Sequence, residues 1–184
     1  MLTLHRAASF TSRVGQLSSN VRRHKGAFSL GPTEFTLQLA ENNDFSYIYR
    51  LCELTMRSYV EADFGDCFEK IARPTIQKLL QRGVFFKIYV NDVLVGAVAY
   101  ERHETHIQLE EIYLEPAKQN HGLGAEVMKS LIDQSRSLAL PICLHVLSSN
   151  PARAFYERLG FVTARSTEKV HFMEYTPPST VSDA

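Results

Sequence analysis

The chain has 184 residues, 45% of them hydrophobic and 22% charged, the composition of one soluble globular domain of moderate size. Its formal net charge is zero, yet residues 1–33 carry five basic residues and no acid, leaving 15 basic against 20 acidic residues in the rest. That mildly acidic remainder argues against nucleic acid as the main partner, and no apolar run approaches the ~20 residues that span a bilayer.

Three cysteines, Cys52, Cys67 and Cys143, are odd in number and lack metal-ligand spacing. They imply a reducing compartment, no disulfide framework and no metal site. Residues 1–33 are rich in Arg and Ser and end at Gly31-Pro32. They read as an N-terminal extension, either loosely packed or an organelle transit peptide. The compartment is accordingly cytoplasmic, or the mitochondrial matrix if that segment is a targeting signal. A folded domain is expected over 34–176, with 177–184 as a tail.

Phe35, Leu37 and Leu39 alternate with polar residues and predict a half-buried strand. Phe45, Ile48, Tyr49, Cys52 and Met56 recur at helical spacing, so 44–57 is expected to be a helix capped by Asp44. A polar-aromatic loop is expected over 58–65. A second helix is expected over 67–81, bent or split at Pro74 and closed by Gly83. Residues 85–90 and 93–102 are β-rich and flank Asn91-Asp92, a hairpin signal. A third strand follows over 105–114.

From Gly122 the period changes. Leu123, Val127, Met128, Leu131, Ile132 and Leu138 form one helical stripe ending before Pro141. Residues 142–147 predict a short strand buried on both faces. Asn150-Pro151 opens a short helix that stops at Gly160. Two final strands are expected at 161–163 and 170–175. The order βαα-βββ-α-β-α-ββ describes an α+β protein: a mixed, mostly antiparallel sheet with helices on both faces.

Residues 109–125 stand out, because a strand runs through a proline and a glycine turn into a helix start. Free backbone N–H groups and the helix dipole favour an anion there. A P-loop is excluded, since no Lys-Ser or Lys-Thr follows the glycines. A dinucleotide fingerprint is excluded too, because its third glycine position is Val127. Taken alone, Gly122 and Gly124 are as well read as a plain helix start.

Residues 119–124, Gln-Asn-His-Gly-Leu-Gly, resemble the glycine motif of the GNAT superfamily of N-acetyltransferases, in which Gln or Arg precedes a spaced Gly and a Gly or Ala. Glu111-Ile-Tyr-Leu-Glu-Pro116 resembles the strand and proline that precede that motif. Residues 150–161, with Asn150, Phe155-Tyr156 and Gly160-Phe161, resemble the family's second block. The resemblance implies the acyl-CoA N-acyltransferase fold and an acyltransferase moving an acetyl group from acetyl-CoA to a primary amine by direct attack. The alternative is a catalytically silent module that binds acyl-CoA or serves as an interaction domain.

The resemblance also implies roles. The backbone of Gln119, Asn120, His121, Gly122, Leu123, Gly124 and Ala125 would cradle the coenzyme pyrophosphate. The strand Ile112-Tyr113-Leu114 would splay from 142–147 and pair with the pantetheine arm. Asn150 would bond that arm, and Tyr156 would protonate the departing thiolate. Glu110, Glu111 and His145 are candidates for the base that deprotonates the amine, with a water chain as the alternative. Tyr59, Glu61, Asp63 and Phe64 are expected to wall the amine site, where acid and aromatic groups suit a cation. The amine, small molecule or peptide, is left open, as is the choice between monomer and homodimer.

Overall fold

A computed structural model describes residues 34–178. The expected extension over 1–33 and most of the expected tail lie outside the described residues. The elements are β1 (Thr36–Leu39), α1 (Phe45–Phe64), α2 (Phe68–Gln81), β2 (Phe85–Val90), β3 (Val93–Arg102), β4 (Ile107–Leu114), α3 (Leu123–Leu138), β5 (Ile142–Leu147), α4 (Ala152–Arg158), β6 (Val162–Ser166) and β7 (Val170–Tyr175). The strands form one sheet in the order β1-β2-β3-β4-β5-β7-β6. All neighbours are antiparallel except β4 and β5. The predicted mixed, mostly antiparallel α+β sheet is therefore the fold.

Each sheet face has its own core. One is built on Val127, Met128, Leu131 and Ile132 of α3, with Tyr156 of α4, against Ile107, Leu109, Ile142 and Leu144. The other joins Ile48, Leu51 and Val60 of α1 and Phe68, Ile76 and Leu79 of α2 to Phe85, Ala97 and Tyr113. The β2–β3 turn places Asn91 and Asp92 at φ 49° and 62°. Two left-handed residues in a two-residue loop match the strand twist, and Asn and Asp tolerate that conformation well.

Four local expectations are corrected. Residues 58–64 are not a loop but the last turns of α1. Met56, Val60 and Phe64 continue the apolar face at i, i+4. Arg57 bridges Glu53 at 2.6 Å and Glu61 at 3.0 Å along the helix. Gly65, at φ 75°, ends it. Pro74 does not split α2, which runs on through it. The lost hydrogen bond is offset by burial of Phe68, Ala72, Ile76, Leu79 and Leu80 along one face. The strand β5 is central but not buried on both faces: Ile142, Leu144 and Val146 are buried, whereas His145 is exposed. The fourth is β4 itself, which is not a regular strand.

Ala99 faces Glu111 and Tyr100 faces Leu109, so Glu110 is an extra residue, a β-bulge. The bulge reverses the alternation. Ile107 and Leu109 before it, and Ile112 and Leu114 after it, all pack on the α3–α4 side. Tyr113 falls on the α1–α2 side. Glu110 does not share a face with Ile112, as simple alternation predicts, but reaches Arg82 at the end of α2, 3.1 Å away.

Candidate active site

The site begins where β4 and β5 part. Their parallel pairing covers only Ile107 with Ile142 and Gln108 with Cys143. Beyond it β5 stays paired to β7 along its whole length, while β4 stays paired to β3. The edges of β4 from the bulge to Leu114 and of β5 from Leu144 to Leu147 therefore diverge into a cleft. Neither edge finds its hydrogen bonds across that gap, and unpaired strand edges accept an extended ligand as an added strand.

Gly96 sustains the cleft from the other side. It faces Leu114 across the β3–β4 ladder. A Cβ there would lie 2.5 Å from the Tyr113 carbonyl oxygen and 2.7 Å from Leu114 Cδ2. Only glycine lets β3 approach β4 this closely. Sequence reading missed it, although a lone glycine inside a β-rich run is a signal of close backbone approach.

At the wide end of β4 the chain passes Pro116 and turns into α3. The Gln119 side chain donates to the Leu114 carbonyl at 3.0 Å, tying the turn to the strand end. The His121 ring and the Gln119 carbonyl lie 2.6 Å apart. Asn120 and Gly122 are both left-handed, at φ 61° and 86°. Among the described residues, no backbone hydrogen bond outside the regular elements uses the N–H groups of 120–125; the first from this region is Glu126 N–H to the Gly122 carbonyl at 3.0 Å. The turn thus presents a run of free donors at the positive end of a 16-residue helix. Gly122 serves its backbone angle, and nothing lies within 4 Å of a Cβ built there. A Cβ built at Gly124 would meet Leu114 and Phe155 at ordinary contact distance.

On the α4 side, Asn150 Oδ1 accepts from the Ala152 N–H at 2.9 Å and so caps α4. Its Nδ2 group lies 3.7 Å from Met56 Sδ and is the end that can donate to a ligand amide. Tyr156 is buried between Phe155 and Phe161, with ring centroids 5.2 and 5.7 Å away. Burial first, and then the charge of Glu111, push its phenol well above the usual range. Glu111 on β4 and Tyr156 on α4 thus sense one another across the cleft.

Glu111 is half-buried among α1, α2 and β4, and its carboxyl is pushed up to about 7. Desolvation is the main cause. The Tyr113 hydroxyl, within hydrogen-bonding reach, opposes it, and the neighbouring Glu110 charge adds to it. Tyr113 is also within reach of Cys52, and burial pushes both groups up. A carboxyl that titrates near neutrality is poised to take a proton from an ammonium. Glu110 is instead engaged with Arg82, which also pairs with Glu101. His145 is exposed and lies beside Phe172, centroids 6.2 Å apart.

The residues expected to wall the amine site sit on α1 rather than on a loop. Glu61 is held in the ion pair with Arg57. Lys169 Nζ lies 4.8 Å over the Phe64 ring, joining the β6–β7 turn to the end of α1. Ser149 donates its hydroxyl to the Tyr59 carbonyl at 3.2 Å and to Asp63 at 3.0 Å. The structure therefore brings Glu111, Tyr113 and Tyr156 to the cleft and uses Glu61, Asp63 and Phe64 to fasten the end of α1.

Comparison with known proteins agrees with this geometry. A comparison with curated protein sequences found no match. Similar solved structures include the PaiA N-acetyltransferase of Thermoplasma acidophilum in complex with coenzyme A. It is 16% identical with TM-score 0.64, over 77% of this chain and 98% of that one. The ribosomal-protein-S18-alanine N-acetyltransferase of Escherichia coli is 20% identical with TM-score 0.55, over 82% and 98%. Arabidopsis thaliana Naa50, in complex with the bisubstrate analogue CoA-Ac-MVNAL, is 16% identical with TM-score 0.54, over 77% and 98%. At these identities the likeness is one of fold. The profile of the Acetyltransferase (GNAT) family matches residues 48–161, which span the cleft, the glycine turn and α4, and the chain belongs to that family.

Proposed function

We propose that the protein is an N-acetyltransferase that moves the acetyl group of acetyl-CoA to a primary amine in a ternary complex. The observation that carries this reading is the convergence on one cleft of three parts: the free N–H turn at 120–125, the unpaired β4 edge and the Glu111–Tyr156 pair. The turn takes the pyrophosphate. The edges of β4 and β5, with Asn150 Nδ2, take the amides of the pantetheine arm. The thioester then lies near Ile112 and Tyr113, where a backbone N–H faces its carbonyl oxygen.

The proton balance assigns the side chains. Glu111, as carboxylate, takes one proton from the incoming ammonium. The neutral amine attacks the thioester carbon, and the C–S bond breaks as the tetrahedral intermediate collapses. The Tyr156 hydroxyl gives its proton to the departing sulfur and regains one from the attacking nitrogen. The net products are the amide, the free thiol and one proton released from Glu111. An ordinary phenol near 10 is a weaker acid than a thiol near 8.5, so transfer to sulfur is slightly uphill. Burial of Tyr156 steepens that step, and the coupled return of a proton from the attacking nitrogen drives it.

Thiol release from acetyl-CoA, measured over a panel of amines, tests the reading. Amine-dependent release supports it. Acetyl-CoA binding with no release on any amine supports a silent binding module instead. Tyr156→Phe should lower kcat by roughly 10²-fold while leaving coenzyme affinity unchanged.

A further inference from the structure

A cavity of about 60 Å³ opens between α1, α2 and β4. Met56 and Val60 of α1, Phe68, Ala72 and Ile76 of α2, and Glu111 of β4 line it. Its volume accommodates about four water-sized groups, or an arm of about four carbons.

Its polar atoms are few and engaged. The Thr75 hydroxyl donates to the Ile71 carbonyl at 2.8 Å. Tyr113 and Cys52 are within hydrogen-bonding reach of one another, and Tyr113 of Glu111. Glu111 is the one carboxyl among the lining residues, and no lysine or arginine lines the space. One cation can therefore be matched at the Glu111 end, and nothing at the apolar end pairs with a second.

We infer that the acceptor is a primary amine carrying a short, uncharged apolar arm of about four carbons, seated with its nitrogen at Glu111 and its arm among Val60, Phe68, Ala72 and Ile76. Polyamines and acceptors with a charged end close to the nitrogen are excluded by the same walls. This inference rests on the acetyl-transfer reading for the fate of the amine, but the pocket is a claim of its own. Each methylene from ethylamine to butylamine adds buried apolar area and should raise kcat/KM about three- to fourfold. 1,4-Diaminobutane, with the same four carbons but charged at both ends, should fall at least ~10-fold below butylamine.

The test uses the full chain with acetyl-CoA, this alkylamine series and 1,4-diaminobutane. The variant Ala72→Phe fills the space and should flatten the series, so that butylamine loses its advantage over methylamine. If Ala72→Phe does not fold, Ala72→Val should shift the optimum to a shorter arm. Methyl NMR of the coenzyme-loaded protein reads occupancy without turnover, through Ile71, Ala72 and Ile76. The rising series, lost in the Ala72 variants, supports the inference. Turnover that favours 1,4-diaminobutane, or is indifferent to arm length, overturns the pocket and leaves acetyl transfer standing. Butylamine shifting these methyl signals with no amine acetylated keeps the pocket and overturns the transfer reading. Neither turnover nor methyl shifts overturns the pocket.

Discussion

In the proposed reaction Glu111 couples stability to chemistry. Its carboxyl is pushed from 4.5 to about 7 by burial. Between those values the folded chain binds more protons than the unfolded chain. The favourable contribution of this group is therefore fully present below pH 4.5 and is lost as pH rises through about 7. Glu111→Gln removes the buried charge. It should stabilise the apo protein at pH 8 by about 1–3 kcal/mol, with little effect at pH 4.5, in denaturant melts at the two pH values. The same change should lower kcat/KM by about 10²-fold or more. Its signature is an opposed pair: a more stable fold and a poorer enzyme.

At the scale of elements, glycine sets two geometries. Gly122→Val places a β-branched residue at φ 86° in the turn. It should weaken coenzyme binding by ~10-fold or more, with a smaller effect on melting temperature, as titration calorimetry and thermal melts would show. Gly96→Ala acts on the fold instead. Its Cβ would meet the Tyr113 carbonyl and Leu114 across the ladder. Equilibrium unfolding should show a loss of about 1–3 kcal/mol, and coenzyme affinity should fall with it because β4 is displaced.

Much at this scale was legible in the chain itself. The strands and the α3 stripe declare themselves through periods of 2 and 3.6. The glycine turn was visible because two glycines follow a strand and proline. The end of α1 was hidden by polar and aromatic residues that resemble a loop, though the Glu53-Arg57-Glu61 ladder and the Met56-Val60-Phe64 stripe are helical signals. The Glu110 bulge was not legible, since alternation is read from local sequence and the extra residue is defined only against β3. The poise of Glu111 was hidden for the same reason: it arises from burial by α1 and α2, which no local pattern encodes.

The whole molecule separates tasks between its two faces. The α3–α4 side supplies the turn at 120–125, Asn150 at the start of α4, and Tyr156. The α1–α2 side supplies the cavity beside Glu111. The parting of β4 and β5 in mid-sheet is the passage between them, and in the proposed reaction coenzyme and amine meet there from opposite faces. Asp63–Ser149 and Lys169–Phe64 fasten α1 to the β5–α4 loop and to the β6–β7 turn.

The most direct test of this account is the pH dependence of kcat/KM for amine-dependent thiol release, compared between the native chain and Glu111→Gln. Two amines of different basicity separate the enzyme's titration from the substrate's. With Glu111 as the base, the native profile rises to a plateau with a midpoint at about 7, the same for both amines, and this limb is absent in Glu111→Gln at a much lower rate. A native midpoint that follows the amine, or a Glu111→Gln variant that retains the limb and the rate, would contradict it.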